Sequence, residues 1–540
     1  MDFRRGFVRS GPLRVHYRTA GQGPPVVMLH PSPLSSQAVL PVAAAVARER
    51  QVFALDTPGY GLSDPLEARP ASLDPYLPVI DGVLDGLGIT RCCLYGAATG
   101  AQLALEYACA RPQRVSLLVM DTAGHIAPAE CDRLVQGYFP DVSPRADGGH
   151  LATLWGLVRD LGVFFPWNDT RPAARIAKDL PPATFMHAML LEYLRAGTRY
   201  DWAYRPAFHN ERAARVRRCT VPGILTRWPA SIALSITDAL IAEGLPDRFK
   251  VLHLGPALDD RALGIARAIA AAPADPAASA PARDQVHTDR FISELLPAGE
   301  RQLHARTCTA GSGRPLVALH RAGGSGRQME RWLAPLVGKR PVIAVDLPSH
   351  GDNDAFDLPY AEWSGLLHRV LDGLGLDQAE LLGDGLGGFL ADRLHAGKPK
   401  HYTQVAIVSR HVPGSQEATW PPLTPVLDGS HLFQGWHLLR DRRLWWPWHR
   451  RTAQAIRTDG AGLDAESLHA EWTDLMKCGE RFAPLAAAEA EWDPSTAERS
   501  STQGLLLVDT SSGLAQAGPG TQVPATESGR DLARILGAAG

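Results

Sequence analysis

No run of about 18 apolar residues occurs anywhere in the sequence, so no segment reads as a membrane-spanning helix. Blocks of like charge are also missing. Lys and Arg total 55 against 57 Asp and Glu, a formal net charge of −2, which leaves no electrostatic footprint for nucleic acid or an anionic membrane. Cysteine is scarce, 7 in 540 residues, with an odd total and an adjacent Cys92–Cys93 pair in an apolar stretch. That usage excludes a disulfide framework and points to a reducing compartment. Arg4, Arg5 and Arg9 near the start are not followed by an apolar signal-peptide core, so cytoplasmic residence is the expectation. HExxH and paired CxxC motifs are absent and the histidines are dispersed, so neither a metal nor an organic cofactor is expected.

What is present is an ordinary globular composition, 45% hydrophobic and 21% charged, in a chain of 540 residues. At roughly 100 to 200 residues per domain that length predicts two to four domains. An internal repeat organises them. Ala20–Asp64 has a counterpart in Ala310–Asp354 at a constant offset of 290, pairing His30 with His320, Asp56 with Asp346 and Gly61 with Gly351. Farther on, His150–Trp167 matches His431–Trp448 at 8 of 18 positions. Between the copies, Ala271–Asp289 is Ala/Pro-rich and suits an extended spacer. The expected layout is therefore a domain over 1–270, a linker over 271–289 and a second domain over 290–540.

Each copy alternates short Val/Ile/Leu-rich runs with Ala/Leu-rich segments, the pattern of a mostly parallel sheet covered on both faces. The predicted strands are Val26–Leu29, Val52–Leu55, Cys92–Tyr95, Leu117–Met120 and Gly223–Thr226 in copy one. In copy two they are Leu316–Leu319, Val342–Val345, Ala379–Leu382, Gln404–Val408 and Leu505–Val508. A strand ending in His, a DxPGxGxSD-like loop and a strand followed by GxxxG and a helix, in that order, resemble the α/β-hydrolase superfamily, particularly its cap-bearing esterase, epoxide hydrolase and C–C hydrolase branch. The resemblance covers nearly the whole chain twice. It implies an α/β fold of two tandem domains, each an eight-stranded, doubly wound sheet with a helical cap, at about residues 130–215 and 412–495.

In that family the GxxxG turn is a strained elbow that presents a nucleophile. Here the elbows read Gly96-Ala97-Ala98-Thr99-Gly100 and Gly383-Asp384-Gly385-Leu386-Gly387, so Ala98 and Gly385 stand at the nucleophile positions. The family's acid position aligns with Ala230 and Ser512, and its His position with Leu258 and Thr526. None of the six can attack a carbonyl or relay a proton, so the resemblance implies a fold without the family's triad. Asp384, one residue before the apex, is a candidate shifted carboxylate.

The remaining chemistry is expected in copy two, with Asp384, Arg410 and His411 as candidate catalytic groups. The candidate ligand contacts there are His320, Arg321, Gly323, Gly324, Gly385 and Leu386, with Trp436 and Trp445 above them. The family's His at this turn is usually structural, but the glycine-rich loop after His320 could still offer amides to an anion, whereas Pro31 in copy one has no N–H to give. Asp121 after the corresponding strand of copy one reads as structural. In the lid repeat, Trp155 with Arg159 and Trp436 with Arg440 lie at i, i+4; they read either as packing of the lid or as an aromatic wall over a pocket. Three functions follow: binding or non-nucleophilic transformation (lyase, cyclase or proton transfer) of a small apolar carbonyl-bearing molecule, a non-catalytic scaffold with a protein partner, or an esterase using a non-standard nucleophile such as Thr99 or Ser325.

Overall fold

The computed structural model of the protein describes residues 1–176, 178–278, 288–355, 358–376, 378–409, 418–458, 462–492, 505–509, 514–517 and 521–524. The chain divides into two compact units, Met1–Ser143 with Ala152–Asp284, and Pro144–Leu151 with Gln285–Gly540. The main division thus falls inside the Ala/Pro-rich stretch.

The first unit is built on an eight-stranded sheet of β1 (Arg4–Ser10), β2 (Leu13–Ala20), β3 (Pro25–Leu29), β4 (Gln51–Leu55), β5 (Cys92–Ala97), β6 (Val115–Asp121), β7 (Gly223–Arg227) and β8 (Phe249–His253). Their spatial order is β1-β2-β4-β3-β5-β6-β7-β8. β2 pairs antiparallel with β1 and β4, and every later pairing is parallel. Central strands such as β3 (PVVML) and β5 (CCLYGA) are buried at every position because helices cover both faces, which is why they read as unbroken apolar runs.

The second unit repeats the order, with seven strands among the described residues. β9 (Ile292–Ala298), β10 (Arg301–Cys308), β11 (Leu316–Leu319), β12 (Val342–Val345), β13 (Ala379–Asp384), β14 (Tyr402–Ser409) and β15 (Leu505–Asp509) are arranged β9-β10-β12-β11-β13-β14-β15. All ten strands expected from the sequence are strands. The expected eighth strand of copy two is not found among the described residues; β16 (Leu514–Ala517) and β17 (Thr521–Pro524) pair instead as a separate antiparallel hairpin.

Helical caps lie between β6 and β7 and between β14 and β15, the former including Gly149–Asp160, Ala183–Ala196 and Tyr204–Asn210, the latter Ser430–Leu444, Ala465–Cys478 and Phe482–Glu491. The lid tryptophans are cap core. Trp436 is fully buried with its ring centroid 6.2 Å from that of Trp472, and Trp155 is also buried. Among the described residues no helix is long and apolar enough to cross a membrane.

Candidate ligand site at the strand–helix turns

Both elbows adopt one strained conformation. Ala98, between β5 and the helix Thr99–Ala110, has φ 49° and ψ −114°; Gly385, between β13 and the helix Leu386–Gly397, has φ 53° and ψ −115°. Ala98 pays for a left-handed φ that glycine adopts freely, on the order of 1–3 kcal/mol. The bend is imposed by close approach of helix and strand. A Cβ at Gly100 would lie 2.2 Å from the Leu29 carbonyl oxygen, and one at Gly387 would lie 2.1 Å from that of Leu319. The apex therefore carries a methyl group in copy one and a hydrogen in copy two, on backbones bent alike.

The two His-bearing turns are also built alike. The Thr57 N–H donates to His30 Nε2 at 2.9 Å, and the Leu347 N–H donates to His320 Nε2 at 2.9 Å. The Nδ1 atoms lie 3.0 Å from the Pro31 carbonyl and 2.8 Å from the Arg321 carbonyl. Both ring nitrogens of His320 are thus committed to the backbone, so its place is structural rather than the ligand contact expected for it. Asp56 and Asp346 anchor the adjoining loops, accepting the Ser36 and Leu62 N–H groups and the Gly326 and Asp352 N–H groups, with His16 and His304 as further partners. His304, Asp346 and Asp352 could approach one cation. Their atoms are already engaged, Asp352 by Lys477 Nζ at 2.9 Å, and no metal is assigned there.

A carboxylate sits at the elbow of copy two. Glu489 Oε2, from the cap helix Phe482–Glu491, accepts the Ala322 N–H at 2.8 Å and the Leu386 N–H at 2.9 Å. Those amides are one from the turn after β11 and one immediately past the elbow apex, the pair that holds a developing oxyanion in acyl-transfer chemistry. A Cβ built on Gly385 would fall 2.5 Å from Glu489 Cδ, so the space above the apex belongs to this side chain. Burial is the main force raising the Glu489 pKa, with Asp384 adding; the two amides and Arg442 oppose it.

Charged groups gather around Glu489. Arg321 Nε lies 3.8 Å from Asp384 Oδ2, and its Nη2 lies 3.8 Å from Glu471 Oε2. Glu471 also faces Arg331 at 3.8 Å and Arg443 at 3.1 Å. Arg442 stands over the rings of Trp420, Trp448 and Phe482 at 5.3 to 5.9 Å, and burial together with Arg321 depresses its pKa to about 10.

Copy one uses its polar groups differently. Asp121 is fully buried; its Oδ2 accepts Tyr95 OH at 2.7 Å and Arg261 Nε at 3.0 Å, while Oδ1 accepts Thr226 Oγ1 at 2.6 Å. These partners saturate it as a structural anion. Glu211 accepts the Gly124 N–H at 2.7 Å, and burial pushes its pKa to about 8 against that bond. A cavity of about 240 Å³ opens beside Phe139, Tyr200 and Arg205, but Asp201 there is already paired with Arg69 and Arg205.

Arg410 and His411 lie outside the described residues. Trp436 is buried in the cap against Trp472, and Trp445 is half-buried, with its backbone bridged to Ile456. The Gly323 N–H donates to His350 Nε2 at 3.1 Å and the Gly324 N–H to the Arg321 carbonyl at 3.0 Å, which leaves Ala322 as the loop amide aimed at the elbow. Its counterpart in copy one is Ser32, so Pro31 does not deprive that copy of the amide. Ser325 Oγ donates to Asp474 at 2.6 Å and is buried. Asp384 ends β13, buried against Arg321. Glu489, unforeseen, had one sequence signal: it continues the i, i+3, i+4, i+7 stripe of Phe482, Leu485 and Ala486, where a charge interrupts an apolar face.

A family profile described as the alpha/beta hydrolase fold matches residues 24–154. The 2-hydroxy-6-oxononadienedioate/2-hydroxy-6-oxononatrienedioate hydrolase 2 of Pseudomonas putida is 35% identical over 127 residues, 22% of this chain and 43% of that protein. A hydrolase of the same substrates from Paraburkholderia phymatum is 33% identical over 164 residues, 28% of this chain and 54% of that protein. The chain thus spans about half the length of these curated relatives. Among solved structures, epoxide hydrolase A of Mycobacterium thermoresistibile gives a TM-score of 0.39 at 17% identity, covering 51% of this chain and 100% of that one. A meta-cleavage product hydrolase of Pseudomonas fluorescens gives 0.34 at 18% identity, covering 49% and 96%.

Proposed function

We propose, taking as premise that the chain belongs to the α/β-hydrolase superfamily, that it handles a small apolar carbonyl-bearing molecule without a nucleophile, by binding it or by moving a proton on it. The observation that carries this reading is the convergence of the Ala322 and Leu386 N–H groups on one oxygen above an apex that has no side chain. Two preorganised amides polarise a carbonyl oxygen and favour enolate-like charge. With Ala98 and Gly385 at the apices there is no atom to form an acyl intermediate, so the covalent route is closed. Asp384, and Glu489 with its raised pKa, are the carboxyls placed to exchange a proton with a molecule held there.

The names of the relatives describe substrates that are ketone-bearing dicarboxylates. An oxo carboxylate whose carbonyl is carried on an apolar chain is accordingly the ligand class of first choice. The test pairs nitrophenyl acetate turnover with binding of 2-oxopentanoate followed by melting temperature. No turnover above background together with a saturable rise in melting temperature is expected; a burst of nitrophenol would overturn the reading. The scaffold alternative draws on one observation, that Glu489 already fills the elbow of copy two.

A further inference from the structure

The Glu489 carboxylate meets the elbow of copy two as a bound ligand would. One of its oxygens takes both converging amides, at 2.8 and 2.9 Å, and its Cδ stands 2.5 Å from where a Gly385 Cβ would be. The helix that delivers it packs through Phe482, Leu485 and Ala486, so the carboxylate is carried in on an apolar face. We infer that copy two is a carboxylate-binding site whose resident is the side chain of Glu489, and that a free small carboxylate enters it only by replacing that side chain. The inference rests on the reading of this amide pair as an oxygen-binding site.

Charge argues for the ligand class independently of the amides. Arg321, Arg331, Arg442 and Arg443 face Asp384, Glu471 and Glu489, four guanidiniums against three carboxylates. Burial is the main force lowering the pKa of Arg331 and Arg442, with the neighbouring Arg321 adding to it, while Asp384, Glu471 and Glu489 raise that of Arg321 itself. Withdrawal of Glu489 leaves four cations against two carboxylates, with two amides unpaired. A planar monocarboxylate restores both the charge and the hydrogen bonds; a neutral amide of the same shape restores only the bonds. The copy therefore selects anionic carboxylates, and its cap helix competes with them.

The test is equilibrium dialysis of radiolabelled acetate against the full chain, its Glu489→Ala and its Glu489→Gln variants, with acetamide as the neutral control. Glu489→Ala should bind acetate about tenfold or more tighter than the parent, since charged hydrogen bonds are regained without competition. Glu489→Gln, which keeps a neutral acceptor for the two amides, should fall between the two, and acetamide should bind none of them measurably. Should Glu489→Ala not fold, the order of Gln variant over parent decides. Equal acetate binding by parent and Gln variant, or acetamide binding as well as acetate, overturns the inference. Failure of the non-nucleophilic reading would instead show as ester turnover and would leave these affinities unchanged.

Discussion

The two elbows share one backbone and differ in what stands above it. Ala98 and Gly385 agree within a few degrees, yet among the described residues no carboxylate bonds the Ser32 and Thr99 amides of copy one, while Glu489 takes the matching Ala322 and Leu386 amides of copy two. The difference teaches that the bend is set by helix–strand packing through Gly100 and Gly387, not by the apex residue or its occupant. Copy one tolerates a Cβ at the apex at the expense of a strained φ. Copy two has given that volume to a carboxylate.

The largest effect should come from Asp121→Ala. It strips Arg261, Tyr95 and Thr226 of a shared buried anion, and breaking a buried pair from one side costs about 3–5 kcal/mol. Urea unfolding should show the loss in one transition, with acetate affinity at copy two unaltered. If Asp121→Ala is thermodynamically silent, or weakens acetate binding, copy one is not the structural copy described here.

Next is Gly385→Ala, which drives a methyl into the Glu489 carboxylate; the clash and the positive φ should together lower stability by about 1–3 kcal/mol. In the Glu489→Ala background the same change should cost clearly less, and the double-mutant cycle reads the difference as coupling. An additive cycle would separate Glu489 from the apex.

What the sequence made legible follows from what is local. The ten strands were visible because buried parallel strands are continuous apolar runs bounded by turns, and the elbows because a helix can pack that close only across glycine. The structural place of Asp121 was likewise readable from its position at the end of a buried strand, β6. Glu489 was not, because its contact with Leu386 spans 103 residues and depends on how the cap folds down. The amide comparison turned on Pro31 instead of Ser32, a one-residue difference in which N–H points at the elbow. Among the described residues after β15, Thr521–Pro524 has strand character but joins Leu514–Ala517 rather than the sheet.

A pH dependence separates the copies further. Glu211 titrates near 8 when folded against an ordinary value of 4.5, so between those values the folded state holds more protons than the unfolded one. Its contribution is full below about pH 4.5 and is lost as pH rises through about 8. Glu211→Gln keeps an acceptor for the Gly124 N–H and should flatten this slope, gaining about 1–3 kcal/mol at pH 8 in urea unfolding. A slope unchanged in the variant would assign the pH dependence elsewhere. The smallest effect belongs to Ala98→Gly: relief of the positive φ offsets the entropy of an added glycine, and stability should move by less than about 1 kcal/mol.

The central claim is that this fold keeps its elbows without an attacking atom. Fluorophosphonate labelling of the intact chain, read by peptide mass spectrometry, tests it most directly. The account predicts no adduct on any residue of either elbow or its adjoining loop; a stoichiometric adduct on Thr99 or Ser325 would contradict it.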